Sequence, residues 1–330
     1  MNRTLDIVTL GEAMIRLSPP FFQRLEQTPT LDVRVGGAEL NVAVAAARLG
    51  LRTGWLSKLP DSPLGRMVAN KAREHGVDVS RVIWTKGGRV GLYFVEFGAQ
   101  PRASSVLYDR AGAAIAGLKP DDFDWAGISS EARVFHVSGI TPALSPTCAE
   151  ATLAAARAAK EAGCTVSVDV NYRAKLWSED EANRVMTALM EHTDILITTE
   201  EDTRKVYRIE ASDYRDVARE LQRRFSLQAV AITLRQTPSV LRNAWSAFAV
   251  AGDQLYEGPT YDVEIVDRLG AGDSFTAGFL WGYLQKDIAK AVSYGVAYSA
   301  LKHSIPGDFH WGSLAEVEAL VKGGGLRIQR

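Results

Sequence analysis

Short runs of β-branched and apolar residues alternate with longer stretches of helical periodicity along most of this chain, and that alternation constrains its fold more than any other feature. The runs are DIVTLG from Asp6, RVFHVSG from Arg133, TVSVDVN from Thr165, DILITT from Asp194 and AVAITL from Ala229. Between and around them the spacing predicts helices over 39–49, 64–75, 146–162, 180–192 and 214–225. In the first of these Val42, Ala45 or Ala46, and Leu49 recur at helical spacing, and Gly50 follows as a C-terminal stop. Such a rhythm reads as βαβ units built into a mostly parallel sheet.

The segment 88–114, GRVGLYFVEFGAQPRASSVLYDRAGAA, breaks the rhythm. Leu92 and Phe94, then Val106 and Tyr108, alternate with other residues and are interrupted by glycines and Pro101, which predicts an inserted antiparallel hairpin. No internal repeat, low-complexity tract or linker composition divides the remainder, so residues 1–330 read as one α/β domain. The terminal GGGLRIQR reads as a frayed end.

Composition removes several function classes. Lys and Arg number 38 against 39 Asp and Glu, so there is no overall positive field to hold a nucleic acid. The first residues, MNRTLDIVTLGEAMIRL, place Asp6 and Glu12 inside the apolar stretch, unlike a secretory signal. No later run approaches the ~18 uncharged apolar residues of a membrane span, and the expectation is a cytoplasmic protein without a membrane partner. Cys148 and Cys164 are too few and too far apart for a metal knuckle or a disulfide framework and read as buried thiols.

Chemistry concentrates in DRLGAGDSFTAGFLWG, from Asp267. Phe275, Phe279 and Tyr283 stand at helical spacing with Leu280 and Leu284 beside them, so a buried amphipathic helix is expected to begin near Gly272 with Asp273 in its first turn. A first turn offers N–H groups without intrahelical partners at the positive end of the helix dipole, and small residues there let a phosphate approach. The same residues also fit a tight turn with an acidic cap, and spacing alone leaves both readings open. No Lys-Ser or Lys-Thr closes the stretch as in a Walker loop, and Phe275 stands where a dinucleotide fingerprint needs glycine. VGGAELNVAVAAARLG, from Val35, poses a similar choice between a backbone that approaches a ligand beside Asn41 and a strand-to-helix turn with an Asn cap.

In this order and separation, GGAELNVAVAAARLG near the start and DRLGAGDSFTAGF near the end resemble the paired signatures of the ribokinase-like (PfkB) carbohydrate kinases, over nearly the whole chain. LYDRAGAA from Leu107, DVNYRAKLW from Asp169, TTEEDT from Thr198 and LKHSIPGDF from Leu301 are similar to the 2-keto-3-deoxygluconate kinases of that family. The resemblance implies a ribokinase-like, Rossmann-type three-layer α/β sandwich with a small β-sheet lid from segments at about 14–35 and 88–114. It further implies ATP and Mg2+ as cofactors, phosphorylation of 2-keto-3-deoxygluconate to 2-keto-3-deoxy-6-phosphogluconate, and pairing of subunits through the lid.

By the same resemblance Asp273 is the base, and the amides of Gly270, Ala271, Gly272 and Asp273 bind the migrating phosphoryl oxygens. A carboxylate in a helix first turn is expected to stay ionised, because the dipole favours its charged form. Arg173 is implied to reach both phosphate and substrate, with Asn171, Thr233, Arg235, Gly270 and Gly272 at the nucleotide. Gly37, Asn41, Tyr93, Tyr108, Arg110, Arg173, Asp273 and Asp308 are implied to hold the sugar acid, whose carboxylate needs a forked cation once water is excluded.

The chain departs from the family at a few positions. Asp202 falls at the acidic end of the magnesium-holding Asn-x-x-Glu motif, but with Thr199 for Asn and Asp for Glu, so an exposed helix acid is the alternative. Arg268 replaces a common Thr and Arg235 a common Gly; Arg235 either touches a phosphate or is a solvated loop charge. A neutral-sugar kinase such as a fructokinase, a non-catalytic sugar sensor and, on the α/β pattern alone, a dehydrogenase are the competing functions.

Overall fold

The computed structural model describes residues 3–209 and 213–324. The alternating segments form a nine-stranded sheet in the order Gln254–Glu257, Arg242–Ala251, Ala229–Ser239, Ile195–Thr199, Thr165–Asp169, Ala132–Ser138, Leu5–Leu10, Thr53–Leu56, with Tyr261–Glu264 also paired to Arg242–Ala251. The six strands from Ala229–Ser239 to Thr53–Leu56 are parallel, and the other three join antiparallel at one edge. Neighbouring residues along the central strands enter opposite cores, as a period of two requires. Ile7, Val134, Ile195 and Ala231 pack on one face with the helices Ala38–Arg48, Ala271–Leu284 and Ile288–His303. Val8, Phe135, Leu196 and Ile232 pack on the other with Pro146–Glu161, Glu179–Met190 and Tyr214–Phe225. With both faces covered, Leu5–Leu10 is buried at every position, which explains its nearly unbroken apolar run.

The helix starts follow ordinary capping chemistry. Ser62 and Ser145 each precede a proline and accept an N–H from the first turn, and Ser178 does the same ahead of Glu179, Asp180 and Glu181. Gly50 takes the left-handed conformation, φ +87°, at the end of the first helix, as its sequence position suggested.

A second, four-stranded sheet lies in the order Asp32–Gly36, Met14–Ser18, Leu92–Glu96, Ser105–Asp109. Its strands come from the two segments singled out in the sequence, and Leu92–Glu96 pairs antiparallel with Ser105–Asp109 as the predicted hairpin. Tyr93 and Val95 turn to the buried side opposite Tyr108 and Val106, while Leu107 is 59% exposed.

Two expectations need correction. Ala271–Leu284 is buried as expected, but around most of its circumference rather than along one amphipathic face, because it is packed between the sheet and Ile288–His303. A Cβ on Gly278 would stand 2.9 Å from the Gly295 Cα, so the glycines of this helix serve close helix packing. The strand from Ala229 continues to Ser239 through polar residues, which places Arg235 in a strand rather than a loop. Cys148 and Cys164 are free and buried, as expected. The terminal GGGLRIQR lies outside the described residues from 325 onward. Among the described residues no helix is long and apolar enough to cross a membrane.

Leu5–Leu10 stands between Thr53–Leu56 and Ala132–Ser138, and the chain leaves it first to one side and then to the other. That reversal opens a crevice beyond the carboxyl ends of the strands. Glu12, Ser138, Asp169 and Thr199 all follow or end strands there.

Candidate active site

Gly270 precedes the helix Ala271–Leu284 in the left-handed conformation, φ 81° and ψ 0°. A Cβ at this position would lie 2.0 Å from the backbone oxygen of Asp308, so only glycine lets the turn pass. Gly272 has the opposite surroundings: nothing lies within 4 Å of where its Cβ would be. The first turn thus borders open space beside Gly272 at the positive end of a 14-residue helix, although the Ala271 N–H, assigned to the phosphoryl oxygens, already donates to Arg268 O at 3.3 Å.

Asp273, half-buried in that turn, accepts a hydrogen bond from Asn41 Nδ2 at 2.7 Å. Asn41 lies in the first helix, 232 residues earlier, and its Oδ1 accepts from Gly37 N at 3.3 Å. The expectation that Asp273 stays ionised is overturned. Burial, with smaller contributions from the charges of Glu39 and Asp308, pushes its pKa up to about 7 against the opposing Asn41 bond and Arg173. Desolvation outweighs the dipole, which acts only through partial charges. A base with this pKa is half-ionised near neutrality and far better suited to take a proton than an ordinary carboxylate. We predict that kcat/KM rises with pH through about 7 and falls about tenfold per unit below it, read from initial rates over pH 5–9. A flat profile down to pH 5 would show that Asp273 is not the titrating base.

The helix tip opens on a cavity of about 350 Å³. Asn171, Arg173, Asp202, Thr233, Arg235, Gly270, Ala271, Gly272 and Asp273 all line it, so the structure brings together every residue assigned to catalysis, nucleotide or metal. Asp202 is 8% exposed rather than an exposed helix acid, and Thr199 accepts its backbone N–H at 3.1 Å as the helix cap. Asp169, which the sequence reading missed, lines the same wall; burial raises its pKa well above normal, and the charges of Asp273 and Asp202 raise it further. Opposite charge faces these acids. Arg235 and Arg268 both line the cavity, and the Arg268 pKa is lowered by burial and by the charge of Arg235. Arg268 donates to Val240 O at 3.0 Å. Mutually repelling guanidiniums facing a helix tip suit a polyanion.

The donors suit a hard cation. Asp169 and Asp202 offer oxygen only, and their mutual repulsion would be relieved by a divalent ion. Among the described residues no group of three His, Cys, Asp or Glu is placed to hold a metal directly.

The remaining assigned residues gather outside this cavity and meet it at Asp273. Tyr93 donates to Asp308 Oδ2 at 2.6 Å, and its ring stacks on Tyr108 with centroids 6.0 Å apart. The Arg110 guanidinium lies 5.5 Å from the Tyr108 ring centre and is paired with Glu12. Glu12 is buried beside Glu39, and each carries one buried oxygen without a partner, as does Nε of Arg110. Glu39 Oε1 accepts from Ser138 N, Ser138 Oγ and Thr141 Oγ1. Glu12, Glu39 and the buried Arg16 beside Asp308 were not singled out in the sequence. Glu39 stands inside the Gly-Gly-Ala-Glu-Leu-Asn stretch, where an acid at a buried helix start was the available signal.

Comparisons with known proteins give likenesses over nearly the whole chain. The model of the pfkB family carbohydrate kinases matches residues 4–308. The chain is 42% identical to a 2-dehydro-3-deoxygalactonokinase of Haloferax volcanii, over 99% of this chain and 100% of that protein. The crystal structure of 2-dehydro-3-deoxygluconokinase from Thermotoga maritima is similar with a TM-score of 0.94 and 43% identity, covering 98% of this chain and 99% of that one. A fructokinase of Xylella fastidiosa, solved with bound ATP, is similar with a TM-score of 0.81 and 25% identity, covering 96% and 98%.

Proposed function

Because the chain belongs to the pfkB family of carbohydrate kinases, we propose that it transfers the γ-phosphoryl group of ATP to 2-keto-3-deoxygluconate, forming 2-keto-3-deoxy-6-phosphogluconate. The observation that carries this reading is the position of Asp273, which lines the cavity below the helix tip and is bonded to Asn41 of the other cluster. A hydroxyl held beside Asn41 would give its proton to the Asp273 carboxylate while its oxygen attacks the γ-phosphorus, whose bond to the bridging oxygen breaks, that oxygen leaving with ADP. The N–H groups of the turn from Gly270 to Asp273 would take up charge on the transferred group, and Arg173 would spread its oxygens. Arg235 and Arg268 would hold the remaining phosphates. Asp169 and Asp202 would hold Mg2+, which when bound would supply charge neutralisation for the phosphates.

A sugar acid is favoured by the kinship with kinases named for such acids. Arg110, Tyr108 and Tyr93 would face its carboxylate, Gly37 would approach its hydroxyls, and Asp308 would hold its far end through Tyr93. The galactonate epimer is a second reading, since the Haloferax volcanii relative is named for it at nearly the same identity. A neutral sugar is favoured by one observation only, that Glu12 already partners Arg110.

A coupled ADP-release assay over sugar acids and neutral sugars tests the reading. We expect kcat/KM for 2-keto-3-deoxygluconate at least about 100-fold above that for fructose, the value of a charged hydrogen-bonded pair. Arg110→Lys, which still partners Glu12 but loses the fork, should raise KM for the acid about tenfold and leave that for fructose unchanged. Turnover of fructose alone would overturn the substrate assignment.

We also propose a second copy of the chain against the small sheet, because Phe21, Val33 and Leu107 are 86%, 54% and 59% exposed there. A monomer mass by light scattering would exclude it.

A further inference from the structure

Arg16, on the strand Met14–Ser18 of the small sheet, is 2% exposed, and phosphoryl transfer as described gives it no task. One of its terminal nitrogens lies 2.8 Å from Asp308 Oδ1 and the other 2.8 Å from Asp267 Oδ2. Its Nε donates to Ser18 Oγ at 3.0 Å, and the guanidinium carbon lies 5.1 Å from the centre of the Phe97 ring.

Both aspartates hold the turn in front of the catalytic helix. Asp267 accepts from Leu269 N at 3.1 Å and from Gly307 N at 2.8 Å. The backbone oxygen of Asp308 abuts Gly270 so closely that a Cβ there would lie 2.0 Å away. A second buried cation completes the set, for Lys302 Nζ donates to Ile305 O at 2.8 Å and to Asp267 O at 3.4 Å. Tyr93, from the neighbouring strand Leu92–Glu96, reaches the same Asp308. Two strands of the small sheet are therefore fastened to the two acids that frame the helix tip. A buried guanidinium between two carboxylates is poor value for stability compared with apolar packing, and its use lies in fixing geometry.

We propose that Arg16 is a positioning residue for phosphoryl transfer, tying the small sheet to the Asp267–Gly270 turn so that the seating of that sheet sets the anion-binding helix tip. The proposal rests on reading this turn and Asp273 as the transfer site. Arg16 also neutralises Asp308, one of the charges that raise the Asp273 pKa. The other groups facing Asp273 are Glu39 and Asn41 on the first helix, Arg173 and Asp169 at the end of the Thr165–Asp169 strand, and Lys302 on Ile288–His303.

Two variants test it with ATP saturating and the sugar acid varied from below its KM to saturation. Arg16→Gln should lower kcat about 10- to 100-fold, leave the sugar KM within about threefold, and move the acid limb of the kcat/KM profile upward by about one pH unit. Arg16→Lys, which keeps a cation but cannot bridge both acids, should lower kcat similarly while the acid limb stays in place. Wild-type kcat in either folded variant overturns the proposal, as does a loss confined to the sugar KM. If Arg16→Gln does not fold, Arg16→Lys alone decides by its kcat. Asp273→Asn, assayed beside them, separates the two ideas: an active Asp273→Asn removes the transfer-site reading, whereas an inactive one with indifferent Arg16 variants removes only this proposal.

Discussion

Asp273→Asn lowers kcat by about 10³-fold, within the range measured for loss of a general base, while binding of nucleotide and sugar acid stays within a few-fold. The substitution is isosteric, and the amide can still accept from Asn41 through its oxygen, so the helix tip keeps its shape. What disappears is the carboxylate at the meeting point of the two clusters, bonded to Asn41 and lining the cavity. The same substitution should raise thermal stability at pH 8. A carboxyl whose pKa is about 7 when folded and near 3.8 when unfolded favours the native state fully below about pH 4. That advantage is lost as pH rises through about 7, where folding holds a partly buried charge. Removing the charge therefore stabilises the protein at pH 8, by about 2 kcal/mol once the residual solvent access of Asp273 is allowed for, and leaves stability near pH 4 unchanged. Melting temperatures of the two proteins at pH 8 and pH 5, beside single-turnover rates, give both readings. Undiminished turnover would remove Asp273 from the mechanism; equal melting temperatures at both pH values would show that its carboxylate is not desolvated.

The contrast between base and fold shows what the sequence could reveal. Strands such as Leu5–Leu10 were legible because helices cover both faces, which makes the run apolar throughout. The hairpin of the small sheet was legible from alternation and turn residues, and the helix at Ala271 from its periodic aromatics. The extension of Ala229–Ser239 was not, because its polar end is held by pairing with Arg242–Ala251 rather than by burial. Within the site, the residues assigned to nucleotide line one cavity because Thr233 and Arg235 lie on the strand Ala229–Ser239, Asn171 and Arg173 follow the strand Thr165–Asp169, and Gly270 and Gly272 stand at the start of the helix Ala271–Leu284. The raised pKa of Asp273 was invisible, since its burial, and the smaller effect of Glu39 and Asp308 beside it, arise only on folding. Arg16 carries no local signal at all: its partner Asp308 is 292 residues away, and in the sequence it is one basic residue in a polar–apolar strand. Glu12 likewise meets Arg110 across 98 residues, which changes that arginine from a free cation into half of a pair.

The glycines on either side of Ala271 should respond differently to the same added methyl group. Gly270→Ala places a Cβ where Asp308 O now stands, 2.0 Å away, and forces a left-handed φ of 81° on a residue that avoids it. The turn must open, and with it the backbone of Asp308 and the ion pairs it makes with Arg16. We expect a stability loss of about 3 kcal/mol, from backbone strain and displacement together, and a kcat about 10²-fold lower. Gly272→Ala has no such clash, because nothing lies within 4 Å of the new atom and the backbone conformation is an ordinary helical one. Alanine even favours the folded helix by up to about 1 kcal/mol there. Yet the methyl group would occupy the space above the first-turn amides where a phosphoryl oxygen must come, so kcat should fall about as far as in Gly270→Ala. Denaturant unfolding and steady-state rates on the pair separate the two effects. If Gly272→Ala is both stable and fully active, the open space over the helix tip does not receive the transferred group, and the anion site has to be sought elsewhere in the cavity.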